Sequence, residues 1–109
     1  MTKTTTKIAT LNDTLRTTFI GGKTLLTHGI QSLDQTVQAE VIGKVRMFND
    51  FSKDNDPHGE HDFGSFKHAG QKIFWKIDYY DPTLTYGSED PANPEITTRV
   101  LTIMLAEEY

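Results

Sequence analysis

The stretch KIFWKIDYY, running from Lys72 to Tyr80, alternates. Ile73, Trp75, Ile77 and Tyr79 fall on one side of an extended chain, and Phe74, Lys76, Asp78 and Tyr80 on the other. The first set reads as a core face, so the segment is a strand with one side buried. Upstream, Phe63–Lys67 reads as a second strand, and His68-Ala69-Gly70-Gln71 is a turn between the two, which makes a hairpin. Downstream, Ile96–Leu105 is rich in β-branched residues and is expected to be a strand buried on both faces near its end. Helical spacing is also present there, since Ile96, Val100, Ile103 and Met104 would share one helical face.

The half of the chain before Phe51 has a different rhythm. Ile8, Leu11, Leu15 and Phe19 predict a helix from about Lys7 to Thr18, capped by Thr5 or Thr6 and stopped by Gly21-Gly22, with residues 1–6 a frayed tail. Lys23–Thr27 suits a short strand, and Gly29 a turn. Ser32-Leu33-Asp34-Gln35 has the form of a capping box, and Val37, Val41, Val45 and Phe48 then form the stripe of a second helix ending by Asp50 or Phe51. The segment Asp81–Pro94 holds three of the four prolines and reads as a long loop. Two helices followed by strands predict an α+β domain, with the helices on one face of a small, mainly antiparallel sheet.

A chain of 109 residues has room for one domain. Fifteen acidic against eleven basic side chains give a net charge of −4, which argues against a nucleic-acid binder, although Lys3, Lys7, Arg16 and Lys23 make the first quarter basic. The absence of cysteine excludes disulfides, thiolate metal sites and thiol catalysis. No apolar run is long enough for a signal peptide core or a membrane span, so a soluble, cytoplasmic protein is expected. Motifs for phosphate, dinucleotide or acyl chemistry are missing, and no cofactor is implied.

The densest polar constellation lies between Asp50 and Asp62. It holds Asp50, Asp54, Asp56, Glu60 and Asp62 against Lys53 alone, with His58 and His61 among them. Numbered from Asp54, the loop begins like a calcium-binding EF-hand, with Asp56, His58, Gly59 and Asp62 at positions 3, 5, 6 and 9. Position 12 is Ser65 instead of a bidentate glutamate, and a strand follows instead of a helix. A transition metal would need His58, His61 and Asp62 to converge. Paired carboxylates such as Glu60 or Asp62 with Asp78 would be needed for acid–base hydrolysis. Against each stands the plain alternative that Asp54, Asn55 and Asp56 form turns and that the aromatics of the hairpin pack a sheet.

The strings IATLNDTLR (Ile8–Arg16), DNDPHGEHDFG (Asp54–Gly64), FWKIDYYD (Phe74–Asp81) and TRVLTIMLAEEY (Thr98–Tyr109) resemble a domain-of-unknown-function family of short proteobacterial proteins. Its members are often carried on plasmids and in prophages. The resemblance implies no established activity. By setting and size it points to an inhibitor of host defence, such as an anti-CRISPR protein.

Two functions are therefore expected to compete. One is a non-enzymatic, acidic, protein-binding inhibitor whose partner is a host protein such as a nucleic-acid-binding effector. Asp54, Asp56, Glu60 and Asp62 would meet its lysines and arginines, and Tyr80 would be the aromatic anchor. The other is a small metal-dependent enzyme or metal-binding regulator using the 54–62 loop. An oligomeric structural role for the aromatic hairpin is a third, and direct nucleic-acid binding ranks last.

Overall fold

The computed structural model describes residues 2–109. The elements run α1 (Lys3–Thr18), β1 (Lys23–Leu26), α2 (His28–Gln31), α3 (Gln35–Met47), β2 (Phe63–His68), β3 (Gln71–Tyr80) and β4 (Thr98–Leu105), followed by a 3-10 turn, Ala106–Glu108. The chain is α+β, as the two halves of the sequence predict. Among the described residues there are three helices instead of two, and the sheet is mixed instead of mainly antiparallel. Its order is β1-β4-β3-β2, with β1 parallel to β4 and the other neighbours antiparallel. The parallel pair joins Lys23–Leu26 to Val100–Ile103 across most of the chain.

Helix α1 begins at Lys3, where Thr2 Oγ1 accepts a hydrogen bond from the Thr5 N–H at 3.0 Å. The expected tail at residues 3–6 is thus the first turn of the helix, and Met1 lies outside the described residues. The helix ends where Phe19 takes a left-handed conformation, φ 61°, and returns its N–H to Leu15 O. The chain then passes under β4. A side chain at Gly22 would stand 2.5 Å from the Arg99 carbonyl, so glycine is required for that approach.

The capping box does not form. Ser32 closes α2, and Asp34 is the residue that opens α3, without a side-chain cap. Either residue satisfies the local preference for a helix boundary, and the α2–α3 corner uses both. The C-terminal segment resolves as strand, buried on both faces at Ile103, Met104 and Leu105.

The inward set of β3, Ile73, Trp75 and Ile77, is buried as expected. It shares one cluster with Leu15 of α1, Ile30 of α2, Val41 and Val45 of α3, and Leu101 and Ile103 of β4. Leu11 and Val37 are only half-buried. Trp75 is the largest side chain with no exposure. Phe48 and Phe51 meet it edge-on at 5.4 and 6.2 Å, and the close seat of its indole leaves no room for a side chain at Gly64. No helix among the described residues is long and apolar enough to cross a membrane.

Candidate functional site

Two places on β3 carry polar side chains in quantity. The first is internal. On α1 the buried stripe is Ile8, Ala9, Asn12, Leu15 and Arg16, so an amide and a guanidinium stand where the helix meets the core. Asn12 Nδ2 donates to Tyr79 Oη at 2.8 Å and to the Glu60 carbonyl at 3.0 Å, and Asn12 Oδ1 accepts from Arg99 Nε at 2.8 Å. Tyr79 donates its hydroxyl to Glu60 Oε1 at 2.8 Å. Arg99 also donates to the Pro91 carbonyl and lies over the Tyr79 ring at 5.2 Å. Burial and the bond to Glu60 push the Tyr79 phenol well above its ordinary range, and burial lowers the Arg99 guanidinium.

One helical turn away on the same layer, His61 is held between carboxylates. Its Nδ1 lies 2.9 Å from Asp13 Oδ1 and its Nε2 lies 3.7 Å from Asp56 Oδ2. Its ring stacks on Phe51 with centroids 3.8 Å apart. Arg16 completes the group, donating to Asp13 at 3.1 Å and to the Val45 carbonyl at 2.9 Å. These bonds tie the 52–62 loop and the 81–97 segment to α1 and β4. Asn12 and the Tyr79 hydroxyl are fully engaged with their neighbours, whereas Arg16 Nε is buried without a partner among the described residues, and Tyr79, Asn12 and Arg99 line none of the grooves described next.

The second place is the outward side of β3. Asp78, Lys76 and Tyr80 meet Lys23, Leu25, Val100, Thr102 and Met104 along the floor of an open groove of about 550 Å³. Lys76 Nζ holds Asp78 at 2.6 Å, which raises the lysine above its usual value. Leu84 and Tyr109 stand at its walls. Glu108 fixes one end by accepting from the Leu105 N–H (2.8 Å), the Gly29 N–H (2.9 Å) and Thr27 Oγ1 (2.6 Å), which holds its carboxyl below the ordinary range. A second, smaller groove of about 310 Å³ contains His58, Asp62 and Phe63 and shares Lys76, Asp78 and Tyr109 with the first. Burial, then the charge of Glu60, raises the Asp62 carboxyl.

The acidic loop is thus divided. Asp54 and His58 are exposed, and Asp62 is half-buried at the margin of the sheet groove. Asp56 is largely buried and accepts from the His61 N–H, reaching the smaller groove only at its lining, and Glu60 is committed to Tyr79. Tyr80 lies in the groove, opposite to Tyr79, as the alternation requires. His61 turns to Asp13 and away from His58 and Asp62, and among the described residues no three histidine or acidic side chains converge as metal ligands. The sequence alone assigns none of Asn12, Asp13, Arg16 and Arg99 to a site. The available signal was Asn12, a poor helix former four residues after Ile8 on an apolar stripe.

Fold and site together define a small α+β domain with a mixed four-stranded sheet and a broad groove on the outward register of its central strands. The chain belongs to the DUF3768 family of proteins of unknown function, whose model matches residues 26–108. The resemblance to a domain of unknown function is borne out at that level. The match takes in Glu60, His61, Tyr79 and Arg99, and leaves α1, with their partners Asn12, Asp13 and Arg16, outside it. No curated protein and no solved structure matches the chain.

Proposed function

We propose that this protein is a non-enzymatic binding protein that takes a basic protein partner on the outward face of its sheet. The three helices are read as packed on the other face, because their buried residues cluster with Ile73, Trp75 and Ile77. The observation that carries the proposal is the junction of the two grooves at Lys76, Asp78 and Tyr109, which places Tyr80, Leu25 and Asp62 on one continuous surface. Leu25 is 52% exposed on its strand and lines the same groove as Tyr80, Leu84 and Tyr109, so the apolar surface there is contiguous. Tyr80 supplies the amphipathic anchor and Asp62, with Asp54 beyond it, the attraction for arginine and lysine.

The finer reading is an inhibitor from a proteobacterial mobile element that occupies the nucleic-acid site of a cytoplasmic host effector, in the manner of anti-CRISPR proteins. An acidic protein offers such a site the charge it is built to receive. The metal-dependent alternative finds no support in the geometry, since His58 and Asp62 face one groove and His61 the interior.

The test is affinity capture of the tagged chain from a host lysate, run beside a Leu25→Asp/Tyr80→Asp variant and a Thr14→Asp control on α1. Support would be a protein recovered in stoichiometric yield with wild type and control, and lost with the double variant. Equal recovery with all three would remove the sheet face from the proposal, and recovery of nucleic acid in place of protein would remove the proposal itself.

A further inference from the structure

The edge of the sheet at β2 is a separate surface, and its backbone has a definite polarity. The two-residue turn Ala69-Gly70, both with positive φ, closes the hairpin at the pair His68–Gln71. Ladder bonds then recur at every second residue of β2, and the bond from the Ile77 N–H to the Asp62 carbonyl at 2.8 Å continues the same phase. Phe63, Ser65 and Lys67 therefore turn their N–H and C=O groups away from β3. The Lys67 carbonyl meets only Lys44 Nζ, at 3.4 Å. No proline, bulge or covering helix blunts this edge. Beside it runs an apolar groove of about 550 Å³ formed by Phe66 and His68 with Glu40, Gly43, Lys44 and Met47 of α3. Met47 is 82% exposed, and nothing stands within 4 Å of the position a Gly43 side chain would take.

The geometry points to a second copy of this chain as the occupant: β2 pairs antiparallel with β2 of the copy about a two-fold axis through Ser65, and the two four-stranded sheets join. Only this register pairs all three outward residues with outward residues, Ser65 with Ser65 and Phe63 with Lys67. It is also self-complementary in side chains. The Lys67 ammonium of each copy lies beside the Phe63 ring of the other. Glu40 lies against His68, Lys44 beside Lys67 and Phe48 against Gly64, so the same axis sets the two α3 helices antiparallel with their Met47 ends facing, and the Lys67 carbonyl exchanges its long bond to Lys44 for the Phe63 N–H of the partner. Both contacts occur twice, as an isologous interface requires. The groove proposed to bind a basic protein lies on the outward face of β3 and β4 and stays open in the dimer.

The chain has no cysteine, so Ser65→Cys creates a single thiol at the axis. A directly opposed pair has Cα atoms about 5.5 Å apart, within disulfide reach. Under mild oxidation Ser65→Cys should form a covalent dimer at least about tenfold faster than Thr14→Cys. Sedimentation equilibrium of the unmodified protein should give twice the 12.3 kDa chain mass at about 100 µM. Ser65→Pro removes the outward N–H while leaving the β2–β3 ladder intact, and should give a folded monomer. Met47→Glu, which does not touch the strand, should do the same if the proline variant fails to fold. A monomeric wild type at that concentration would overturn the inference. So would equal cross-linking at residues 14 and 65, or a dimer that both Ser65→Pro and Met47→Glu leave intact.

Discussion

Tyr79 and Tyr80 are neighbours in the chain and belong to different chemistries. The Tyr79 hydroxyl sits among Asn12, Glu60 and Arg99, with its donor and acceptor capacity spent and its phenol held neutral by burial. Tyr80 faces an open groove beside an Asp78–Lys76 pair. The two sides of β3 teach that a count of charges says little about a surface. The loop from Asp50 to Asp62 looks uniformly acidic, yet Asp56 and Glu60 are consumed inside the fold and Asp54 and Asp62 remain outside. Substitutions on the inner side should cost stability and leave binding to whatever survives folded, and those on the outer side should do the reverse.

The largest effect should come from Trp75, on the inner register two residues before Ile77. Its side chain is wholly buried against Phe48 and Phe51. Trp75→Ala should cost about 3–5 kcal/mol, comparable to the whole stability of a small domain. Urea melts followed by circular dichroism will show it, and an unchanged midpoint would place the core elsewhere.

Next in size is Tyr79→Phe. The ring stays, but the Glu60 carboxylate loses its donor and one Asn12 N–H its acceptor. A loss of about 1–3 kcal/mol follows from leaving a half-buried carboxylate and a buried amide N–H unpaired. The corresponding Tyr80→Phe should change stability by under about 0.5 kcal/mol. Equal losses at both positions would erase the contrast between the two faces of β3.

How much of this was legible in the sequence follows from the range of each signal. The hairpin was legible because alternation and a two-residue turn are local. The parallel pairing of β1 with β4 was not, because it joins residues 23–26 to residues 100–103 and neither segment carries a mark of the other. Helix α1 was found but its buried stripe was rotated, since Leu11 was counted in and Asn12 and Arg16 left out as polar. That rotation hides the internal network, because His61 and the Glu60 carbonyl look solvated until Asp13 and Asn12 of α1 are placed beside them, and Asp56 is buried through His61 in turn. Tyr80 and Asp62 were placed outside by simple alternation and by loop composition, and there the local signals sufficed.

A third prediction concerns the clamp at the end of the outer groove. Glu108 accepts three hydrogen bonds and its carboxyl is held below its ordinary value, with the Thr27 bond the largest cause. A depressed carboxyl contributes stability that is present above the unfolded-state pKa and is lost as the pH falls through the folded one. Glu108→Ala should lower Tm by a few degrees at pH 7, and the gap to wild type should narrow toward pH 3 as the native carboxylate is protonated. A gap that stays constant with pH would mean that packing of the 3-10 turn, and not the carboxylate, holds the end of the groove.

The smallest stability effect should be at Asp62, and its sign is opposite. Burial and the nearby Glu60 charge raise its carboxyl, so the ionised form is less welcome in the folded chain than in the unfolded one. A raised carboxyl costs stability at neutral pH, and the cost disappears as the pH falls through the folded pKa and the group is protonated. Asp62→Asn should therefore leave Tm unchanged or slightly higher at pH 7, with the difference vanishing near pH 3. The same change should slow association with a basic partner and flatten its salt dependence, while leaving dissociation to Tyr80. Glu60→Ala, two residues earlier in the same loop, should lower Tm because Tyr79 Oη loses its acceptor. If Glu60→Ala and Asp62→Asn shifted Tm in the same direction and by the same amount, the acidic loop would be one solvated surface after all, and the division between its inner and outer carboxylates would fail.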